Sequence, residues 1–206
     1  KSSKNNKNSP ESNTFPKIIN TIVHKTDLNH DLLENTLEFI LDDLKQIPPK
    51  ELDINLDSLA TLSKDISTMK HLITNDQLTS VLLNMYNDKE NLKLPQRRNI
   101  STIFNNLSKN TFNVENIIEN KPEIIKSIVD KVVQKENVIK DAENIDIPQK
   151  ELNIITSMLK DKNNSNLIME KGLFVPENIS QIIDNYKDVH EYLNDLLNEL
   201  QNIFDI

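Results

Sequence analysis

The sequence predicts an all-α fold of stacked helical repeats, and three observations carry that prediction. Apolar residues recur at three- and four-residue steps along almost the whole chain beyond its amino-terminal tail. Glycine occurs once in 206 residues, against a usual share of about 7%. Almost nothing is therefore available for the positive-φ corners of tight hairpins, phosphate-cradling loops or nucleophile elbows. Finally, the pattern around Leu62 returns around Leu107, an offset of 45 residues, as expected when one supersecondary unit is repeated.

The elements follow in order. Residues 1–14 (KSSKNNKNSPESNT) contain no apolar side chain that could offset the entropy of ordering them, and read as a disordered Asn/Lys/Ser-rich tail. The helical domain is expected over 15–206. In its first helix Leu33, Leu37, Ile40, Leu44 and Ile47 fall on one face, with Asn29 or Asp31 as N-cap and Pro48-Pro49 as the stop. Leu52, Ile54 and Leu56 alternate as a strand would, but Leu59 and Leu62 continue at three-residue steps, which favours a helix. Four prolines stand where a first helical turn accepts them. Pro95 precedes Ile100, Ile103, Phe104 and Leu107, and Pro122 precedes Ile125, Ile128, Val129 and Val132. Pro148 precedes Leu152, Ile155 and Leu159, and Pro176 precedes Ile179, Ile182, Ile183 and Tyr186. A last helix, capped by Asp188, carries Val189, Leu193, Leu196, Leu200 and Ile203.

Superposing Leu62-Ser63-Lys64-Asp65 on Leu107-Ser108-Lys109-Asn110 brings Leu72-Ile73 onto Ile117-Ile118 and Asn75 onto Asn120. A third copy runs from Leu152 through Leu159, Leu167-Ile168, Gly172 and Ile179 to Tyr186. Each unit would hold a helix, a short second helix and a longer third one, unable to bury its apolar face without a neighbour. The expected boundaries are a degenerate unit at 28–58, units at about 59–94, 95–147 and 148–187, and a terminal helix at 188–206.

Two fragments resemble the armadillo repeat family. Phe104-Asn105-Asn106-Leu107-Ser108 is similar to its hydrophobic-x-Asn-Leu-small signature, and Ile168-Met169-Glu170-Lys171-Gly172-Leu173 to its Ile-x-x-x-Gly-hydrophobic turn. The resemblance implies a right-handed α-solenoid of about three to four armadillo-like repeats, with HEAT repeats as a near neighbour. It also implies that Asn106 faces a concave groove and bonds the backbone of an extended peptide, and that Gly172 makes a sharp inter-helix turn. Asp43, Thr61 and Met158 or Ser157 stand where other units would carry that Asn, which breaks a regular ladder. The family's groove tryptophans are absent, since the chain has no Trp.

Other signals are weighed against plainer readings. Arg97 and Arg98 are the chain's only arginines. A guanidinium fork can clamp carboxylate or phosphate, so the pair could mark a docking point on the groove-forming third helix, but stem packing with solvated heads is the favoured reading. For Asn106 the plainer reading, a solvated or capping amide in an Asn-rich chain, is favoured over a binding role. Asp53-Ile54-Asn55-Leu56-Asp57 opens like a calcium loop, but Ser58 and Lys64 stand where Gly and Glu are needed, so an acidic helix-capping linker is expected. His24, His30, His71 and His190 never share a helix face at ligand spacing, so no metal site is expected. Asp42 and Asp43 are neighbours that point apart on a helix, unsuited to paired-carboxylate catalysis.

The chain is accordingly expected to be a noncatalytic, cofactor-free scaffold that binds a protein partner along the concave face of its helices. A net charge of −8 and a pI near 5.1 repel nucleic acid and anionic lipid and favour a basic or extended partner segment. The tentative binding residues are Asn106, Arg97, Arg98 and Asp43, with Gly172 as the structural turn. No direct membrane insertion is expected, and zero Cys fits a cytoplasmic monomer. The start inside a low-complexity stretch without Met reads as a piece of a longer protein. Its general character resembles the large armadillo-type connectors that link adhesin tails to the cytoskeleton. Two alternatives stand beside this reading: a helical-bundle subunit of an enzyme, and a cap or oligomerisation segment whose last helix pairs with another copy.

Overall fold

The computed structural model describes residues 30–48, 51–88, 90–134, 146–186 and 193–204, and among these residues there are eleven α-helices and no strand. The expected tail, Asn29, Asp188 and Val189 lie outside the described residues. Helix α1 (His30–Gln46) ends two residues before Pro48, and its stripe of Leu33, Leu37, Ile40 and Leu44 is buried. The alternating segment is helical, as α2 (Asp53–Leu62), followed by α3 (Ile66–Thr74) and α4 (Asp76–Asn87). A second triplet comprises α5 (Leu94–Leu107), α6 (Thr111–Asn120) and α7 (Pro122–Val133). A third comprises α8 (Asp146–Lys160), α9 (Lys162–Glu170) and α10 (Pro176–Tyr186), and α11 (Asn194–Ile203) follows.

The sequence explains most of these boundaries. Pro122 and Pro176 open α7 and α10, and Pro95 sits in the first turn of α5. Pro148 is the third residue of α8, where an unbonded N–H costs nothing. The middle helix of each triplet is started by a side-chain cap: Asp65, Asn110 and Asp161 accept from backbone N–H groups of Thr68, Asn113 and Asn164. Asn75 caps α4 in the same way through Leu78. One expectation needs correction. The supposed acidic linker at Asp53–Asp57 is the first half of α2, so Asp53 and Asp57 stand one turn apart on a helix. The third helix is longer than the short second one in every triplet, with 12, 12 and 11 residues against 9, 10 and 9, as expected, while the first helices α5 and α8 are longer still, with 14 and 15. Neighbours cover α5 and α8 on both flanks, and such burial supports length.

Packing follows one rule through much of the chain: a helix meets the helix three places further on. Helices α2, α5, α8 and α11 lie side by side in that order, with the most extensive packing at α2 on α5 and α5 on α8. Helices α3, α6 and α9 form a second row, and α7 packs on α10. The row through α5 is parallel, because Lys93 at the start of α5 pairs with Asp53 at the start of α2, while Asn106 near its end bonds Ser63 just past the end of α2. A continuous core of leucine, isoleucine, valine and aromatic side chains fills the space between rows, including fully buried Leu56, Ile100, Ile103, Leu152 and Ile179. Helix α1 covers the start of this core by packing on α2, α3 and α4.

Candidate functional site

The row α2–α5–α8 leaves one side of each helix open, and apart from Ile54 the residues there are polar. On α5, Ile100, Ile103, Phe104 and Leu107 are buried. Arg98, Thr102 and Asn105 recur at steps of four and three on the opposite side and are all half-buried. The corresponding stripe on α2 is Ile54, Asp57 and Thr61, and on α8 it is Lys150, Asn153 and Ser157, again all half-buried. Hydroxyl and amide groups therefore dominate the centre of this face. Such groups both donate and accept hydrogen bonds, which suits them to a main chain lying across them.

Of the residues singled out in the sequence, three meet on α5, which is the first helix of its triplet and not the third as expected. Arg98 faces the open side, whereas Arg97 and Asn106 stand on its two flanks, both half-buried. Asn106 Nδ2 donates to Ser63 Oγ at 3.0 Å, so part of this amide is used to hold α5 against the end of α2. Ser63 in turn donates to the Ala60 carbonyl at 2.9 Å, which fixes the hydroxyl's orientation. Asp43 stands apart on α1, where its Oδ2 accepts from Asn55 Nδ2 at 2.8 Å and joins α1 to α2. Gly172 follows α9 with φ +65. Its N–H donates to the Met169 carbonyl at 2.9 Å and that of Leu173 to the Ile168 carbonyl at 3.0 Å, the two bonds of a Schellman turn.

A second polar constellation was not foreseen. Tyr86, Lys131 and Glu151, each no more than 9% exposed, bring together the ends of α4, α7 and α8. Tyr86 donates its hydroxyl to Glu151 Oε1 at 2.7 Å. Lys131 donates its ammonium to the Tyr86 carbonyl and lies 3.1 Å from the centre of the Tyr86 ring. The sequence held one signal for this: Tyr86 and Lys131 are 45 residues apart, the same offset as the repeat. At the opposite ends of α4 and α7, Lys121, itself buried, reaches the exposed Asp76 at 2.5 Å. The hydrogen bond and charge of Lys121 hold the Asp76 carboxyl below its ordinary value. Both lysines bind main-chain or surface oxygens across a helix boundary, an arrangement that joins helices and leaves no cleft for a substrate.

Among the described residues, no group of three or more His, Asp or Glu side chains converges as metal ligands would, and no helix is long and apolar enough to cross a membrane. The notable cavity is a void of ≈ 10 Å³ lined by Ile125, Ile128, Val129, Ile154, Met158 and Phe174, among other apolar residues. It is barely the size of one water and offers that water no polar partner. Compared with known protein families and with curated proteins, the chain matches none.

Proposed function

We propose that this protein is a noncatalytic binding scaffold, an armadillo-like right-handed α-solenoid whose three units are α2–α4, α5–α7 and α8–α10. The partner lies as an extended segment across the concave face formed by α2, α5 and α8. One observation carries this reading: three neighbouring helices each present a half-buried, mostly polar stripe, with Thr61 on α2, Thr102 and Asn105 on α5, and Asn153 and Ser157 on α8. Flat apolar patches fasten other folded surfaces, whereas a polar stripe of this width favours main-chain hydrogen bonding. Two features weigh against the alternatives. The Tyr86–Lys131–Glu151 cluster is enclosed, which disfavours an enzyme. Helix α11 uses Leu197 and Leu200 on α8 and α10 of its own chain, which disfavours pairing with another copy and favours a monomer.

The test is selection of binding peptides from a library of extended 12-residue segments, followed by NMR mapping of a selected peptide on the labelled protein. Amide shifts should cluster at Thr61, Thr102, Asn105 and Asn153, and R98A/N105A should weaken binding at unchanged helicity. Shifts confined to α4, α7 and α10 would contradict the proposal.

A further inference from the structure

Two large apolar side chains are exposed at one joint of the second row of helices. Ile66 opens α3 and Phe112 lies in the first turn of α6, and they are 57% and 48% exposed. Lys70 links them: it stands one turn after Ile66, and its ammonium lies 5.4 Å from the centre of the Phe112 ring. Helices α3 and α6 pack side by side, so the three side chains form one patch across that joint. Neither helix start needs the apolar pair. The usual apolar contact there is a staple between the residue before the cap and the fourth helical residue. Here the residues before the caps Asp65 and Asn110 are Lys64 and Lys109. After Asp161, the corresponding cap of α9, stand Lys162 and Asn163, so the repeat does not call for apolar residues at these positions either. The charge around the patch is opposite to the net −8 of the chain. Within four residues of Ile66 or Phe112 lie exposed Lys64, Lys70 and Lys109, and the carboxylates of Asp65 and Glu115. Asp65 accepts from the Thr68 N–H at 2.9 Å and from its hydroxyl at 3.2 Å, which turns its charge onto the start of α3. The cap of α6 is the neutral Asn110, so the partial positive charge of that helix end is not offset. Lys64 and Lys109 form no ion pair with another described residue.

We infer that this patch is a second docking site, separate from the open face of α2, α5 and α8, and that it takes an acidic segment of a protein partner with large apolar side chains beside its carboxylates. Ile66 and Phe112 are the apolar anchors, and Lys64, Lys70 and Lys109 meet the carboxylates. The Phe112 ring holds the Lys70 ammonium over the patch, so a partner carboxylate meets a charge already in place. An anionic membrane would offer the same charge, but it presents a plane far wider than the patch, and the net −8 of the chain opposes its approach. A single segment responds only to the groups beside it, because screening at physiological salt confines a charge's reach to about 8 Å.

The experiment selects binders from a random 12-residue peptide library, in parallel on the native protein and on I66S/F112S. Peptides held by the native protein and lost on I66S/F112S should be enriched in Asp and Glu beside Leu, Ile or Phe. For such a peptide, anisotropy should show affinity falling about tenfold or more in I66S/F112S and in K70E/K109E, and falling as salt rises. K126E on the exposed side of α7 should leave it unchanged. Circular dichroism checks each fold, and K70E/K109E replaces I66S/F112S in the selection if the latter does not fold. Peptides lost instead on R98A/N105A belong to the open face, so either site can fail without the other. A selection in which no peptide distinguishes the native protein from the variant would overturn the docking site. Distinguishing peptides that are basic would overturn the acidic assignment. Binding to mixed phosphatidylcholine–phosphatidylserine vesicles that is lost in I66S/F112S, with no peptide so distinguished, would overturn the protein partner in favour of a membrane.

Discussion

Between the first and second helix triplets, polar groups meet in register. Lys121 reaches Asp76 and Lys131 reaches the Tyr86 carbonyl, each across 45 residues, and Asn106 reaches Ser63 across 43. Between the second and third triplets the joint is chiefly apolar, with the small void under Phe174 and few polar ties, such as Asn185 to the Val133 carbonyl at 2.9 Å and Lys171 to Glu119 at 3.6 Å. Leu62 and Leu107 are 45 residues apart, whereas Leu107 and Leu159 are separated by 52. The polar ties keep these spacings: 45 residues for Lys121–Asp76 and Lys131–Tyr86, and 52 for Asn185–Val133 and Lys171–Glu119. Both joints are thus in register, and they differ in how much of the contact is polar.

This contrast can be broken or sharpened by substitution. The largest effect is expected at Phe104, which is fully buried on α5 and meets the Tyr86 ring edge-on at 5.3 Å. Phe104→Ala should cost about 3–5 kcal/mol in urea unfolding, and a cost below about 1 kcal/mol would show that the first joint does not depend on this packing. Next is Lys131. Lys131→Ala should cost about 2–4 kcal/mol, because it removes a charged hydrogen bond and a buried stem. Lys131→Met keeps the stem alone; if it matches the native protein in stability, burial and not polar register is what the first joint uses.

Smaller effects probe the second joint and the surface. Val129→Ile adds one methylene toward the void and should gain about 0.5–1 kcal/mol, read as a raised unfolding midpoint; a loss would mean that the second joint is already tightly packed. The smallest effect concerns pH. Because Asp76 ionises below its ordinary value in the fold, its stabilising share is complete above the ordinary carboxylate range and is lost as pH falls through the lowered value. Asp76→Asn should therefore lower stability slightly at neutral pH, change little below the lowered value, and so flatten the acid limb of the stability–pH curve. An unchanged acid limb would show that the Lys121 contact does not persist in solution.

The helices were legible because their signals are local. The spacing of Leu33, Leu37, Ile40 and Leu44, the first-turn prolines, and the single glycine at the end of α9 each act within a few residues, and each appears in the fold. The binding residues were legible only in part. Arg97, Arg98 and Asn106 do share α5, but Asp43 was chosen by a signature position and stands on a helix outside the parallel row. The Tyr86–Lys131–Glu151 cluster was missed because nothing local distinguishes a lysine that faces the core from one that faces solvent. Only the repeat offset links Tyr86 to Lys131.

Stacking by a step of three helices is the central claim, and the absence of native cysteine makes it directly measurable. Lys64, Lys109 and Lys160 follow or close the parallel helices α2, α5 and α8, and neighbouring helix axes lie about 8–10 Å apart. A bifunctional maleimide of about that span should join K64C/K109C and K109C/K160C rapidly and leave K64C/K160C unjoined. Equal or faster joining of K64C/K160C would mean that the helices gather around a common centre, and would contradict the stacked arrangement.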